Sequence, residues 1–172
     1  ALARPGVRVA LFALVAALAL LGALALWDHD EGRYTNGALQ MLDSGDWLTP
    51  RRTDAIEHWS KPPLTYWAIA ASIAAFGESA FAARLPIALA YLLCTALVAR
   101  LARAFAPGRE AVAAFAFAAM LLPFGASQLI TTDMLLTAFV ALGALGWMRL
   151  RFEAGGRPAL LMLGAGFGLA FL

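Results

Sequence analysis

The feature that most constrains this chain is a series of long apolar runs separated by short arginine-bearing loops. The runs cover residues 7–27, 80–105, 111–130, 131–148 and 158–172. Crossing the ~30 Å hydrocarbon core of a bilayer takes about 20 predominantly apolar residues per helix. Inside lipid the backbone must satisfy its own hydrogen bonds, which favours helices for runs of this length. Hydrophobic residues make up 62% of the chain and charged residues only 14%, against roughly 45–50% and 25% in ordinary soluble domains. The expected fold is all-α, a polytopic membrane helical bundle with amphipathic juxtamembrane helices in its first outer loop, residues 28–79. A net charge of +2 is too weak to argue for a nucleic-acid partner. The single cysteine, Cys94, lies in an apolar run and is read as a small buried hydrophobe.

The first run could be mistaken for a signal peptide, with Ala23-Leu24-Ala25 as a cleavage site. It exceeds the ~7–15 apolar residues of a signal core, and further spans follow, so a retained first helix is the better reading. The chain begins without Met, and its last run stops after about 15 residues without a polar end. It is therefore expected to be the N-terminal part of one larger transmembrane domain.

The only long polar stretch, Asp28 to Lys61, holds seven of the eleven acidic residues. From Asp30, residues Tyr34, Ala38, Met41 and Leu42 recur at helical spacing, as in an amphipathic surface helix, and Ser44-Gly45-Asp46 ends it. Trp47 to Trp59 reads as irregular. Pro62-Pro63 opens an apolar helix that Gly77 stops near Phe76. At ~1.5 Å per residue this helix is too short to cross. The positive-inside bias then puts the Arg4/Arg8 tail, the Arg100–Arg109 loop and the Arg149–Arg157 loop inside, and Asp30, Glu31 and Asp133 together outside. Trp27, Trp59 and Trp67 would sit at the outer interface. Pro86 and Pro123 are expected kinks.

Several side chains in this arrangement could carry chemistry. Asp30 is either a helix cap or a carboxylate acting on an acceptor at the membrane surface. Arg33 stands where a capping box would want Glu or Gln. Asp133, at the start of a later helix, has the same two readings. Lys61, stiffened by two prolines, and Arg84, one turn into the next helix, are cations that could meet a phosphate or simply snorkel. His29, Glu57 and His58 show no metal-ligand spacing, so no cofactor is implied and a divalent metal is left open.

In order along the chain, Asp30-Glu31-Gly32-Arg33-Tyr34, Gly45-Asp46-Trp47-Leu48-Thr49-Pro50 and Lys61-Pro62-Pro63-Leu64-Thr65-Tyr66-Trp67 resemble the GT-C class of membrane glycosyltransferases. So do Phe76-Gly77-Glu78, Phe81-Ala82-Ala83-Arg84-Leu85-Pro86 and Thr131-Thr132-Asp133-Met134. The relevant branches are the ArnT-type aminoarabinose transferases and the bacterial protein-mannosyltransferase-like proteins. The resemblance implies inverting transfer of a hexose or pentose from a polyprenyl-phosphate carrier to a lipid A or protein acceptor. It places the reaction on the periplasmic face of a bacterial inner membrane, among membrane lipids. Carried residue by residue, it makes Asp30, Glu31 and Asp133 catalytic, Lys61 and Arg84 donor-phosphate ligands, and Arg33, Tyr34 and Tyr66 substrate-positioning groups. One departure is Ser60, where ArnT-type enzymes often carry Glu; Glu57 is three residues back. This weakens any metal or acceptor contact assigned to that Glu, and weakens aminoarabinose as the sugar. The rival class is a non-enzymatic membrane protein such as a transporter component, although no acidic residue lies clearly mid-span as transporters favour.

Overall fold

The chain's architecture was obtained as a computed structural model, which describes residues 4–26, 29–53, 56–57, 61–153 and 155–172. The described residues form helices α1 (Pro5–Leu18), α2 (Asp30–Ser44), α3 (Leu64–Phe76), α4 (Ala80–Phe105), α5 (Glu110–Ala119), α6 (Leu121–Ser127), α7 (Asp133–Phe152) and α8 (Gly156–Phe171). A short antiparallel ribbon joins β1 (Arg51–Thr53) to β2 (Ile56–Glu57), in a stretch expected to be irregular. The fold is an all-α membrane bundle. Among the described residues, α4 and α7 are each long and apolar enough to cross a bilayer, and α5 with α6 would make a third, broken span.

The short helices follow from local chemistry. On α2, Glu31, Tyr34, Thr35, Ala38 and Met41 form one buried face, and Gly45, in the left-handed region at φ 71°, donates its N–H to the Met41 carbonyl. Its start differs from the expectation. His29, not Asp30, occupies the N-cap, and neither supplies a side-chain cap. Asp30 is the first helical residue, where a carboxylate is favoured by the helix dipole. α3 has 13 residues, about 20 Å at ~1.5 Å each, so it falls short of the hydrocarbon core.

The proline positions are compensated. Pro86 lies inside α4 and cannot donate to the Ala82 carbonyl; the Ser72 hydroxyl donates to that oxygen instead, at 2.6 Å. Ser79 caps the same helix by accepting from the Ala82 N–H. The kink expected from Pro123 is present, on the N-terminal side of the proline, whose ring cannot donate to the Ala119 carbonyl and crowds it. The 111–130 run breaks at Met120, which is extended (φ −67°, ψ 137°), and α5 and α6 meet at 65°. Pro123 sits in the first turn of α6, where its missing N–H costs little. The Tyr91 hydroxyl donates to the Ala118 carbonyl at 2.6 Å, satisfying a group that the break leaves without a helical partner.

Small residues bring helices close. A Cβ on Gly146 of α7 would overlap the backbone of Leu163 and lie 2.7 Å from the Ala159 carbonyl oxygen, and one on Gly166 of α8 would overlap the Gly143 backbone. Nothing lies within 4 Å of a Cβ at Gly164. We therefore expect Gly146→Ala to destabilise by at least ~1–3 kcal/mol, read as a lower thermal midpoint in detergent. Gly164→Ala should leave the midpoint unchanged or slightly raised; equal effects of the two would contradict this packing.

Candidate active site

The site is built around a buried clamp. Arg84 and Glu31 are each only 3% exposed. The Arg84 Nε–H donates to Glu31 Oε1 at 2.8 Å and an Nη2–H to Oε2 at 2.7 Å. The remaining guanidinium hydrogens go to the carbonyls of Leu21 (3.0 Å), Leu24 (2.8 Å) and Ala25 (3.0 Å). Glu31 Oε1 also accepts the Ile130 N–H at 3.0 Å. The first apolar run was expected to be helical to Trp27, yet α1 ends at Leu18 and the chain continues as turns. The carbonyls beyond that end are the ones turned toward Arg84. Nearby, the Gln128 side-chain amide donates to the Ala16 carbonyl at 3.1 Å and ties the end of α6 to α1.

This geometry bears on two of the expected site residues. All five Arg84 donors are engaged by protein acceptors, which leaves none directed at a phosphate. Glu31, expected to be catalytic beside Asp30, faces inward and holds the start of α2 against α4 and the segment before α7. Adjacent residues on a helix point about 100° apart, so Asp30 faces out while Glu31 faces in.

Asp30 is 67% exposed and 3.3 Å from Arg33, an i,i+3 ion pair. One turn on, Tyr34 is 4% exposed, and its hydroxyl is hydrogen-bonded to the Thr132 side chain. Burial raises its pKa, and the Asp30 carboxylate raises it further; Arg33 and the Thr132 bond pull it down, while Asp133 adds to the rise. Both candidate carboxylates thus lie within electrostatic reach of one buried phenol. The phenol keeps its proton throughout the physiological range. Above pH ~10 the unfolded chain would lose this proton first, so stability falls with rising pH there and not below.

Tyr66 of α3 is fully buried, with its ring 5.7 Å from that of Tyr34. A Cβ on Gly37 would lie 2.9 Å from the Tyr66 ring, so only glycine lets α2 and α3 approach this closely. Lys61 is exposed and lines a cleft of about 340 Å³ with Thr65, Thr132, Leu135 and Leu172. Thr132, named from the sequence as part of the Thr131-Thr132-Asp133-Met134 motif, makes no cap bond; it links the Tyr34 hydroxyl to the Lys61 cleft. Its Thr-Thr-Asp context was visible in the sequence, but its partner was not. Asp46 stabilises the following turn by accepting from Leu48 and Thr49, and the Thr49 contacts hold its pKa below the usual carboxylate value. Glu57 lies on β2 opposite Arg51. Trp27, Asp28, His58, Trp59 and Ser60 lie outside the described residues, as do the belt positions expected of those tryptophans. Among the described residues no group of three His, Cys, Asp or Glu is arranged to hold a metal ion.

Residues 60–172 match the family model described as dolichyl-phosphate-mannose-protein mannosyltransferase. The chain belongs to this family. Among curated relatives, it is similar to undecaprenyl phosphate-alpha-4-amino-4-deoxy-L-arabinose arabinosyl transferase 2 of Pseudomonas fluorescens (strain Pf0-1), 31% identical over 92% of this chain and 30% of the relative. The corresponding transferase of Pseudomonas paraeruginosa (strain DSM 24068 / PA7) is 34% identical over 86% of this chain and 28% of its own. Two crystal structures of ArnT from Cupriavidus metallidurans, one apo and one bound to undecaprenyl phosphate, each superpose with a TM-score of 0.87 and 28% identity. Each match covers 95% of this chain and 31% of the ArnT chain. The chain therefore spans about a third of the length of the relatives it matches, and within the mannosyltransferase family its likeness is to the ArnT type.

Removing one partner of a buried ion pair typically costs ~3–5 kcal/mol. Arg84→Met should lower the thermal midpoint accordingly, and Arg84→Lys should not restore it, because an ammonium cannot reproduce the five-donor fork. Lys61→Ala, at an exposed side chain, should leave the midpoint unchanged. A stable Arg84→Lys variant would show that the clamp is not what holds these segments.

Proposed function

We propose that this chain forms part of the catalytic unit of a glycosyltransferase that moves a sugar from a polyprenyl-phosphate carrier to a lipid A-type acceptor. The observation that carries the reading is the grouping of Asp30, the Tyr34–Thr132 hydrogen bond, Asp133 and the Lys61 cleft at the end of the bundle away from the arginine loops. The relatives are undecaprenyl-phosphate-linked aminoarabinose arabinosyl transferases by name, and one superposed structure holds undecaprenyl phosphate. Both support a polyprenyl carrier for this chain, and the relatives support a pentose-like sugar.

In this reading the reaction is an inverting displacement on the periplasmic side of the inner membrane. The bond between the anomeric carbon and the phosphate oxygen breaks, an acceptor oxygen bonds to that carbon, and polyprenyl phosphate leaves. Lys61 stabilises the negative charge that grows on the leaving phosphate. Asp30, exposed and held beside Arg33, takes the proton of a hydroxyl acceptor or orients an ionised phosphate acceptor. Asp133, which also acts electrostatically on Tyr34, helps to hold the acceptor. Tyr34 and Tyr66 pack against each other beside these groups, and Arg33 holds Asp30 through their ion pair. Arg84 and Glu31 take no part in the displacement; they fix the backbone from which Asp30 projects. A protein acceptor is the second reading, and only the family model's description favours it.

Asp30→Asn should lower transfer by ~10²–10⁴-fold, and Lys61→Ala by ~10²-fold or more, with thermal unfolding of both unchanged. Mass spectrometry of lipid A from cells with and without the gene should show the loss of a sugar-derived mass. Full activity in Asp30→Asn would refute the role of that carboxylate. Unchanged lipid A together with a missing protein glycan would move the acceptor to protein.

A further inference from the structure

The opposite end of the bundle carries a feature that the proposed transfer does not use. There α1, α4 and α5 enclose a cavity of about 350 Å³ with almost wholly apolar walls, including Val9, Ala13, Leu92, Ala96 and Ala114. It extends along α4 from Leu92 to Ala99, a depth of about 10 Å at ~1.5 Å per residue. The one hydroxyl in the wall, Thr95, donates to the Tyr91 carbonyl at 2.9 Å, so it does not draw in water. At the basic end of the cavity, the lining residues Gly6, Ala99 and Glu110 stand within four residues of the exposed Arg4, Arg8, Arg100, Arg103 and Arg109. Glu110, the one acidic residue among the described lining residues, is paired with Arg103 at 3.3 Å, which offsets its charge.

Topology alone accounts for arginines in short loops; it does not account for an apolar cavity whose lining reaches them. A helix, about 10–12 Å across with its side chains, is too thick for the space. A single hydrocarbon chain is not, and apolar cavities of this size take apolar guests. Basic groups at the end of a cavity between membrane helices recognise anionic lipid head groups. We propose that this cavity and its arginine rim bind an anionic phospholipid of the leaflet at the basic end. One acyl chain lies along α4 between α1 and α5, and the phosphate lies among Arg4, Arg100 and Arg109.

The test is a thermal-shift titration of the complete protein, purified in neutral detergent, with phosphatidylglycerol and with phosphatidylcholine. Phosphatidylglycerol should bind roughly tenfold more tightly, as expected from two or more basic contacts of ~1 kcal/mol each. Ala96→Phe, which fills the cavity, should abolish the shift with both lipids. The double variant Arg100→Gln, Arg109→Gln leaves the cavity open and should remove the preference for the anionic lipid while retaining the weaker shift. Equal shifts from the two lipids in the unmodified protein would overturn the proposal. So would an undiminished phosphatidylglycerol shift in Ala96→Phe, or a preference that survives the double arginine variant.

Discussion

A guanidinium buried beside one carboxylate and three backbone carbonyls sets the geometry of the outer end of this bundle. Arg84 reaches back to the end of the first apolar run and across to the first turn of α2, while Glu31 reaches on to the Ile130 amide ahead of α7. Burying two charges is expensive, and the pair persists because its geometry is bidentate and every remaining guanidinium hydrogen has an acceptor. Four segments distant in sequence thus have one relative arrangement. Asp30 projects from one of them and Asp133 from the helix that follows another.

The placement of the site depends on division of labour between neighbours. Asp30 and Glu31 are adjacent and chemically alike, yet one is 67% exposed and the other 3%. The helix period assigns them to opposite tasks, one facing solvent and one holding the helix in place. The Thr132 link between the Tyr34 phenol and the Lys61 cleft brings both ends of the polar stretch to the start of α7. The candidate site groups Asp30, Asp133 and Lys61 lie at one end of this axis and the arginine loops at the other.

What could be read from the residues was mostly local. The stop of α3 at Gly77, the turn after Ser44 and the buried face Tyr34-Ala38-Met41 all follow from residue type and spacing within a few positions. Tertiary effects were not readable. Arg84 looks like a snorkelling or phosphate-binding cation because its acceptors lie 53 to 63 residues away. The bend at Met120 follows from Pro123, but the partner that satisfies the Ala118 carbonyl there, Tyr91, lies 27 residues earlier. The end of α1 at Leu18 has no local stop residue; the donor that engages the carbonyls beyond it comes from α4. The motif resemblance nominated candidate site residues, and the packing separates those that face solvent from those that hold the frame.

The central claim is that Asp30, Lys61 and Asp133 share one face of the membrane. It is tested most directly by labelling single cysteines with a membrane-impermeant maleimide in intact spheroplasts. Cys94 is 1% exposed, so a Cys94→Ala background is a mild change. Asp30→Cys, Lys61→Cys and Asp133→Cys should each react without permeabilisation, and Arg100→Cys only after it. Labelling of Asp133→Cys only in permeabilised cells would place it on the other side and contradict the account.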